Sequence, residues 1–64
     1  MILLELERRK QGMTQAELGK LARVDASYIC RAERYGMAYD GHLDKLALAL
    51  GWEGPPKNLM KEVK

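Results

Sequence analysis

The chain has 64 residues, with 11 Lys and Arg against 9 Asp and Glu for a formal net charge of +2. A chain this short is one domain that buries only roughly 60% of the surface its unfolded form exposes, its single Cys30 excludes an intrachain disulfide, and one Cys with one His excludes a zinc site. No apolar run approaches the ~20 residues that span a bilayer, and an N-terminus carrying Glu5 and Glu7 lacks a basic, apolar secretion signal, so a cytoplasmic protein with a packed apolar core and no membrane contact is expected.

Helical patterns follow one another along the chain, each with its own punctuation. The first, about residues 2–11, stops at Gly12, a residue suited to the left-handed position just past a helix end. Leu3, Leu6 and Met13 are its expected share of the core, while Leu4 falls off their arc. Thr14 with Glu17 three residues on reads as a capping box and opens a helix over 15–22, in which Leu18, Leu21 and Ala22 share an apolar stripe. Val24, in the turn, should point inward.

Asp25 is the expected N-cap of a third helix over 26–34, with Ile29 and Ala32 inward and Gly36 as its stop. Asp40 is the expected cap of a fourth, 41–50, which buries Leu43, Leu46, Ala47 and Leu50 and ends at Gly51. Pro55 and Pro56 suit the first turn of a fifth, 56–63. With no strand-like alternation, repeat or low-complexity stretch, the expectation is one compact all-α domain of five helices.

The third helix carries the surface most in need of a reason. At 100° per residue, Ser27, Arg31 and Arg34 project together opposite Ile29, on a polar, cationic face without apolar content. Ala26 leaves room for close approach to a surface, and Tyr28 can offer a hydroxyl from the rim. A DNA major groove ~12 Å wide admits one α-helix; Arg donates two hydrogen bonds to a guanine edge, and small side chains meet thymine methyls. A second helix only a few residues away can brace against the backbone while the first enters the groove. No Ser/His/Asp arrangement, paired-carboxylate pocket or glycine-rich phosphate loop can be assembled, so neither enzyme activity nor a cofactor or small-molecule ligand is expected. Glu33 lies nearer the Ile29 side than the solvent side and needs a cation, which Arg8 or Arg9 could supply; helical phase does not separate the two.

The stretch TQAELGKLARVDASYICRAER resembles the helix-turn-helix of the Cro/C1-type (XRE-like) repressor family, and LDKLALALG is similar to that family's fourth helix. The resemblance runs over about residues 3–51 and implies a five-helix, lambda-repressor-like fold, with the helix-turn-helix at about 15–34. It implies a role as a regulator binding double-stranded DNA, such as a phage repressor, a restriction-modification controller or an antitoxin. It also implies that Gln15 contacts a phosphate and braces the third helix, that Ala26, Ser27 and Arg31 read bases, that Tyr28 and Arg34 touch backbone, and that the Glu33 pair is shared with the family. Arg23 stands where the family usually has Gly, so either the turn is adjusted or Arg23 is kept for a phosphate contact. Ala32 and Cys30 also depart from the usual residues, and the stretch from Tyr35 to Gly41 lacks the usual Pro. A protein-interaction module built on the same fold is the alternative.

The last quarter gathers apolar side chains that one small core does not need. Leu48 points away from Leu46 and Leu50, Trp52 follows on nearly the same side, and Leu59, Met60 and Val63 form a further stripe. These five residues are the expected interface of a symmetric homodimer over about 48–63 that reads an inverted repeat. The competing expectation is that the last helix folds back over Leu48 and Trp52 within one chain.

Overall fold

The computed structural model describes residues 1–36 and 40–63, Asp40 by its backbone alone. Four α-helices follow in order: α1 (Leu3–Lys10), α2 (Gln15–Ala22), α3 (Ala26–Tyr35) and α4 (Asp40–Leu50), with a short 3-10 helix at Pro56–Met60. The fold is all-α, and no helix among the described residues is long and apolar enough to cross a membrane.

The local signals act at the helix ends. Thr14 Oγ1 accepts from the Glu17 N–H at 3.1 Å while Glu17 Oε1 accepts from the Thr14 N–H at 2.9 Å, a complete capping box at the start of α2. The Asp25 carboxylate accepts the Ser27 N–H at 2.9 Å and starts α3. Gly12, Gly36 and Gly51 all take positive φ just past helix ends. The cap expected of the Asp40 side chain lies outside the described residues.

The core is built from Leu18, Ala22, Val24, Ile29, Ala32, Leu43, Leu46, Ala47 and Leu50, joined by Ile2, Leu4, Tyr28 and Leu59. Two sequence expectations are corrected here. Leu21 is 61% exposed: at 100° per residue, Ala22 and Gly19 lie about 40° and about 100° to one side of Leu18 and Leu21 about 60° to the other, and the buried arc runs toward Gly19. On α1 the fully buried residue is Leu4, while Leu3, Leu6 and Met13 are half-buried.

The reason for the second correction lies at the other end of the chain. The expected helix 56–63 ends at Met60, and Lys61 turns to extended backbone. Residues 61–63 then run antiparallel to 1–3: the Leu3 N–H donates to the Lys61 carbonyl and the Val63 N–H to the Met1 carbonyl, each at 2.8 Å. This serves α1 directly, since its N-cap residue Ile2 supplies no side-chain cap and the Lys61 carbonyl takes the first orphan N–H instead. The 3-10 helix packs on both α1 and α4.

Candidate nucleic-acid interface

α3 is anchored first at its junction with α2. A Cβ on Gly19 would stand 2.6 Å from the Val24 carbonyl oxygen and 3.3 Å from the Ala26 nitrogen, both backbone atoms, so no larger residue fits while α3 leaves α2 at this angle. The Val24 N–H donates to the Gly19 carbonyl at 2.9 Å and closes the turn. Between them Arg23 sits at φ 60°, ψ 44°, the one positive-φ residue other than glycine among those described. That left-handed conformation costs an L-residue roughly 1–2 kcal/mol.

The second anchor is a buried ion pair. Of the two arginines that the sequence leaves open, Arg8 faces Glu33: its Nε donates to Glu33 Oε2 at 2.7 Å and its Nη2 to Oε1 at 3.0 Å, with the two side chains 9% and 4% exposed. The guanidinium's third contact is Nη1 to the Met13 carbonyl, 2.7 Å. The planar fork satisfies both carboxylate oxygens and the connection before α2 at once, which a lysine could not do. The hydrogen bond to Glu33 outweighs the opposing effect of burial and holds the Arg8 pKa above its ordinary value. Arg9 turns outward to Glu5 at 2.7 Å.

Gln15, the expected phosphate contact, joins the same network: its Nε2 donates to Glu33 Oε1 at 3.0 Å. One amide N–H is thereby committed to bracing α3 against the start of α2. Gln15 and Arg34 line one open hollow together with Glu5, Arg8, Arg9, Cys30 and Glu33.

A third anchor is aromatic, and it corrects an expectation. Tyr28 is buried rather than standing at the rim; its ring stacks on that of His42 in α4, centroids 4.5 Å apart and planes 28° from parallel. One residue after Asp25's capping partner, Tyr28 turns toward the Ile29 side and ties α3 to α4.

What α3 leaves outward is Ser27, Arg31, Arg34 and, at its end, Tyr35, all exposed, with Ala26 half-buried between Asp25 and Ser27. Ser27 Oγ donates to Asp25 Oδ1 at 3.0 Å, so the hydroxyl keeps its lone pairs free to accept. The hydrogen bonds from Ser27, with a smaller contribution from the Arg31 charge, hold the Asp25 carboxyl below its usual range. Arg34 lies over the Tyr35 ring, its guanidinium carbon 5.8 Å from the ring centre, which orients a long side chain at the end of the helix.

Other expected site residues lie elsewhere. Arg23, exposed in the turn that leads into α3, lines a groove with Leu21, Lys45 and Leu48. The expected dimer stripe is largely consumed within one chain: Leu59 is fully buried, and Trp52 and Met60 pack against the core. Trp52 Nε1 donates to the Pro55 carbonyl at 3.1 Å, folding the indole over Gly54. Val63 is tied to Met1 through its backbone. Only Leu48, 85% exposed, stands clear of the domain's own packing. The close approach at Gly19 and the exposure of Leu21 are the features that sequence reasoning missed; the signal for the first was a glycine inside a helical pattern that stays helical.

Comparison of the chain with protein-family models, with curated proteins and with solved structures finds no match.

Proposed function

We propose that the protein is a sequence-specific regulator that binds double-stranded DNA, with α2 and α3 acting as a helix-turn-helix and α3 entering the major groove. The observation that carries this reading is the outward face of α3. Ser27, Arg31 and Arg34 are exposed, with Tyr35 beside them, on a helix that is fixed by Gly19, by the Arg8–Glu33–Gln15 network and by Tyr28. A helix so fixed presents its polar side chains without reorganisation, which is what a reader of base edges needs. The resemblance of residues 3–51 to Cro/C1-type repressors supports the same reading.

In this proposal Arg31 donates to a guanine edge, Ala26 and Ser27 meet neighbouring bases, and Gln15 and Arg34 hold phosphates beside the groove. Two copies on an inverted repeat, about one turn or ~34 Å apart, supply the base contacts that one small domain lacks. Leu59 plays no part in pairing the copies, because it is spent on the core.

Selection from a random duplex pool, followed by binding of variants to the selected and to scrambled sites, tests the assignment. Arg31→Ala should reduce the preference for the selected site by the ~1–3 kcal/mol that a bidentate Arg–guanine contact carries. Gln15→Ala and Arg34→Ala should weaken both duplexes to a similar degree. An unchanged preference in Arg31→Ala removes α3 as the reading face, and no enrichment of any sequence removes the function.

A further inference from the structure

The groove between the C-terminal halves of α2 and α4 is a second surface, and it shares no residue with the α3 face. Its floor and walls are Leu21, Ala22, Leu48 and Ala49, and its charged rim is Arg23 and Lys45. Leu21 and Leu48 are the two most exposed leucines, at 61% and 85%. The C-terminal segment does not cover them; it pairs with residues 1–3 instead.

We propose that this groove docks an acidic amphipathic segment of another protein, with an apolar side chain seated between Leu21 and Leu48 and carboxylates against Arg23 and Lys45. Charge selects this occupant. The two charged side chains that line the groove, Arg23 and Lys45, are both cations, no carboxylate lines it, and neither has an ion-pair partner among the described residues, as is also true of the exposed Lys20, Arg31, Arg34, Lys57 and Lys61. A second copy docking through the same groove would bring two Arg23 and two Lys45 side chains around one two-fold axis, where like charges repel. Duplex DNA offers phosphates to the cations, but its phosphate-sugar backbone has no apolar side chain to seat between the leucines.

A second, independent observation singles out Arg23. It holds the left-handed position at which glycine is strain-free, so backbone conformation alone does not account for an arginine there. An arginine whose side chain rims an apolar groove is accounted for by what that groove binds. The inference does not depend on the DNA-binding reading, since none of its residues belongs to the α3 face.

The probe is a synthetic amphipathic helix with a leucine stripe flanked by glutamates, set beside a twin in which every glutamate is lysine. Both are titrated into the full chain under amide chemical-shift detection. The acidic helix should shift Leu21, Arg23, Lys45 and Leu48, and bind about tenfold more tightly than the twin, the effect of two modest ion pairs. Leu48→Ser should lose that binding. Arg23→Gly should weaken it severalfold while the melting temperature holds or rises, which separates lost recognition from lost folding. Equal binding of the two helices, no binding of the acidic one, or shifts centred elsewhere overturns the proposal. So does a loss of self-association on Leu48→Ser, which assigns the groove to a second copy. A loss of DNA affinity in Arg23→Gly assigns that residue to a phosphate and equally overturns it; failure of the DNA reading itself would instead show in Arg31→Ala and leave peptide binding intact.

Discussion

Gly19 and Val24 approach so closely that a single added methyl at residue 19 would overlap the Val24 carbonyl oxygen, at 2.6 Å. The obstacle is backbone on both sides, so relief requires moving α3 relative to α2. Gly19→Ala should therefore destabilise the domain by about 1–3 kcal/mol, the usual cost of overpacking, although alanine is the better helix former. Thermal unfolding followed by circular dichroism measures it. A neutral or stabilising outcome would mean that the α2–α3 angle is not set at this contact.

The Arg8–Glu33 pair ties α1 to α3 across 25 residues of sequence. Removing one partner strands the other charge in a nearly dry site. Glu33→Leu and Arg8→Met are each expected to cost about 3–5 kcal/mol, and the double variant Arg8→Met/Glu33→Leu to recover much of that loss. Denaturant unfolding of the three chains gives the comparison. Additive losses in the double variant would show that the two side chains do not act as a unit.

Acidification should weaken the fold at two exposed caps. Hydrogen bonds from the Thr14 backbone and side chain hold the Glu17 carboxyl below its ordinary 4.5, and those from Ser27 hold Asp25 below 3.8. Both shifts are depressions, so the stabilisation is present above the unfolded pKa values and is lost as pH falls through the folded ones. The melting temperature should fall on going from about pH 5 toward pH 2, and the double variant Glu17→Gln/Asp25→Asn should fall less steeply over the same range. Parallel curves for the two proteins would contradict this account of the caps.

Leu59 and Leu48 offer a contrast between two apolar residues of the C-terminal half. Leu59 is fully buried and Leu48 is 85% exposed. Leu59→Ala should cost about 2–5 kcal/mol, as truncation of a packed leucine does, whereas Leu48→Ser should lie within about 0.5 kcal/mol of the parent. Melting curves of the two variants decide between a C-terminal segment that completes the core and one that docks weakly.

Much of this architecture is written locally in the sequence. The capping box at Thr14 and Glu17, the Asp25 cap and the positive-φ glycines 12, 36 and 51 each depend on groups no more than a few residues apart, so their residue types suffice to mark four helices. The outward set Ser27, Arg31 and Arg34 was legible for the same reason: it follows from helical phase relative to Ile29. The need of Glu33 for a cation was legible too, but the choice between Arg8 and Arg9 was not, because both lie within reach of α3 until α1 is oriented.

Tertiary structure decided whatever depends on contacts between distant segments. Helical periodicity places Leu21 on the apolar stripe and Leu4 off it, yet Leu4 is buried and Leu21 exposed, because burial is set by which neighbour packs on which side. Tyr28 lies in the core and not at the rim because α4 stacks the exposed His42 ring against it. The stripe of Leu59, Met60 and Val63 reads as one helical face. After Met60, however, the N–H of Val63 and the carbonyl of Lys61 find partners on residues 1 and 3, and the chain trades a further turn of helix for a bond to its own beginning. A pattern along the sequence specifies which side chains share a face; only the assembled chain specifies what that face meets.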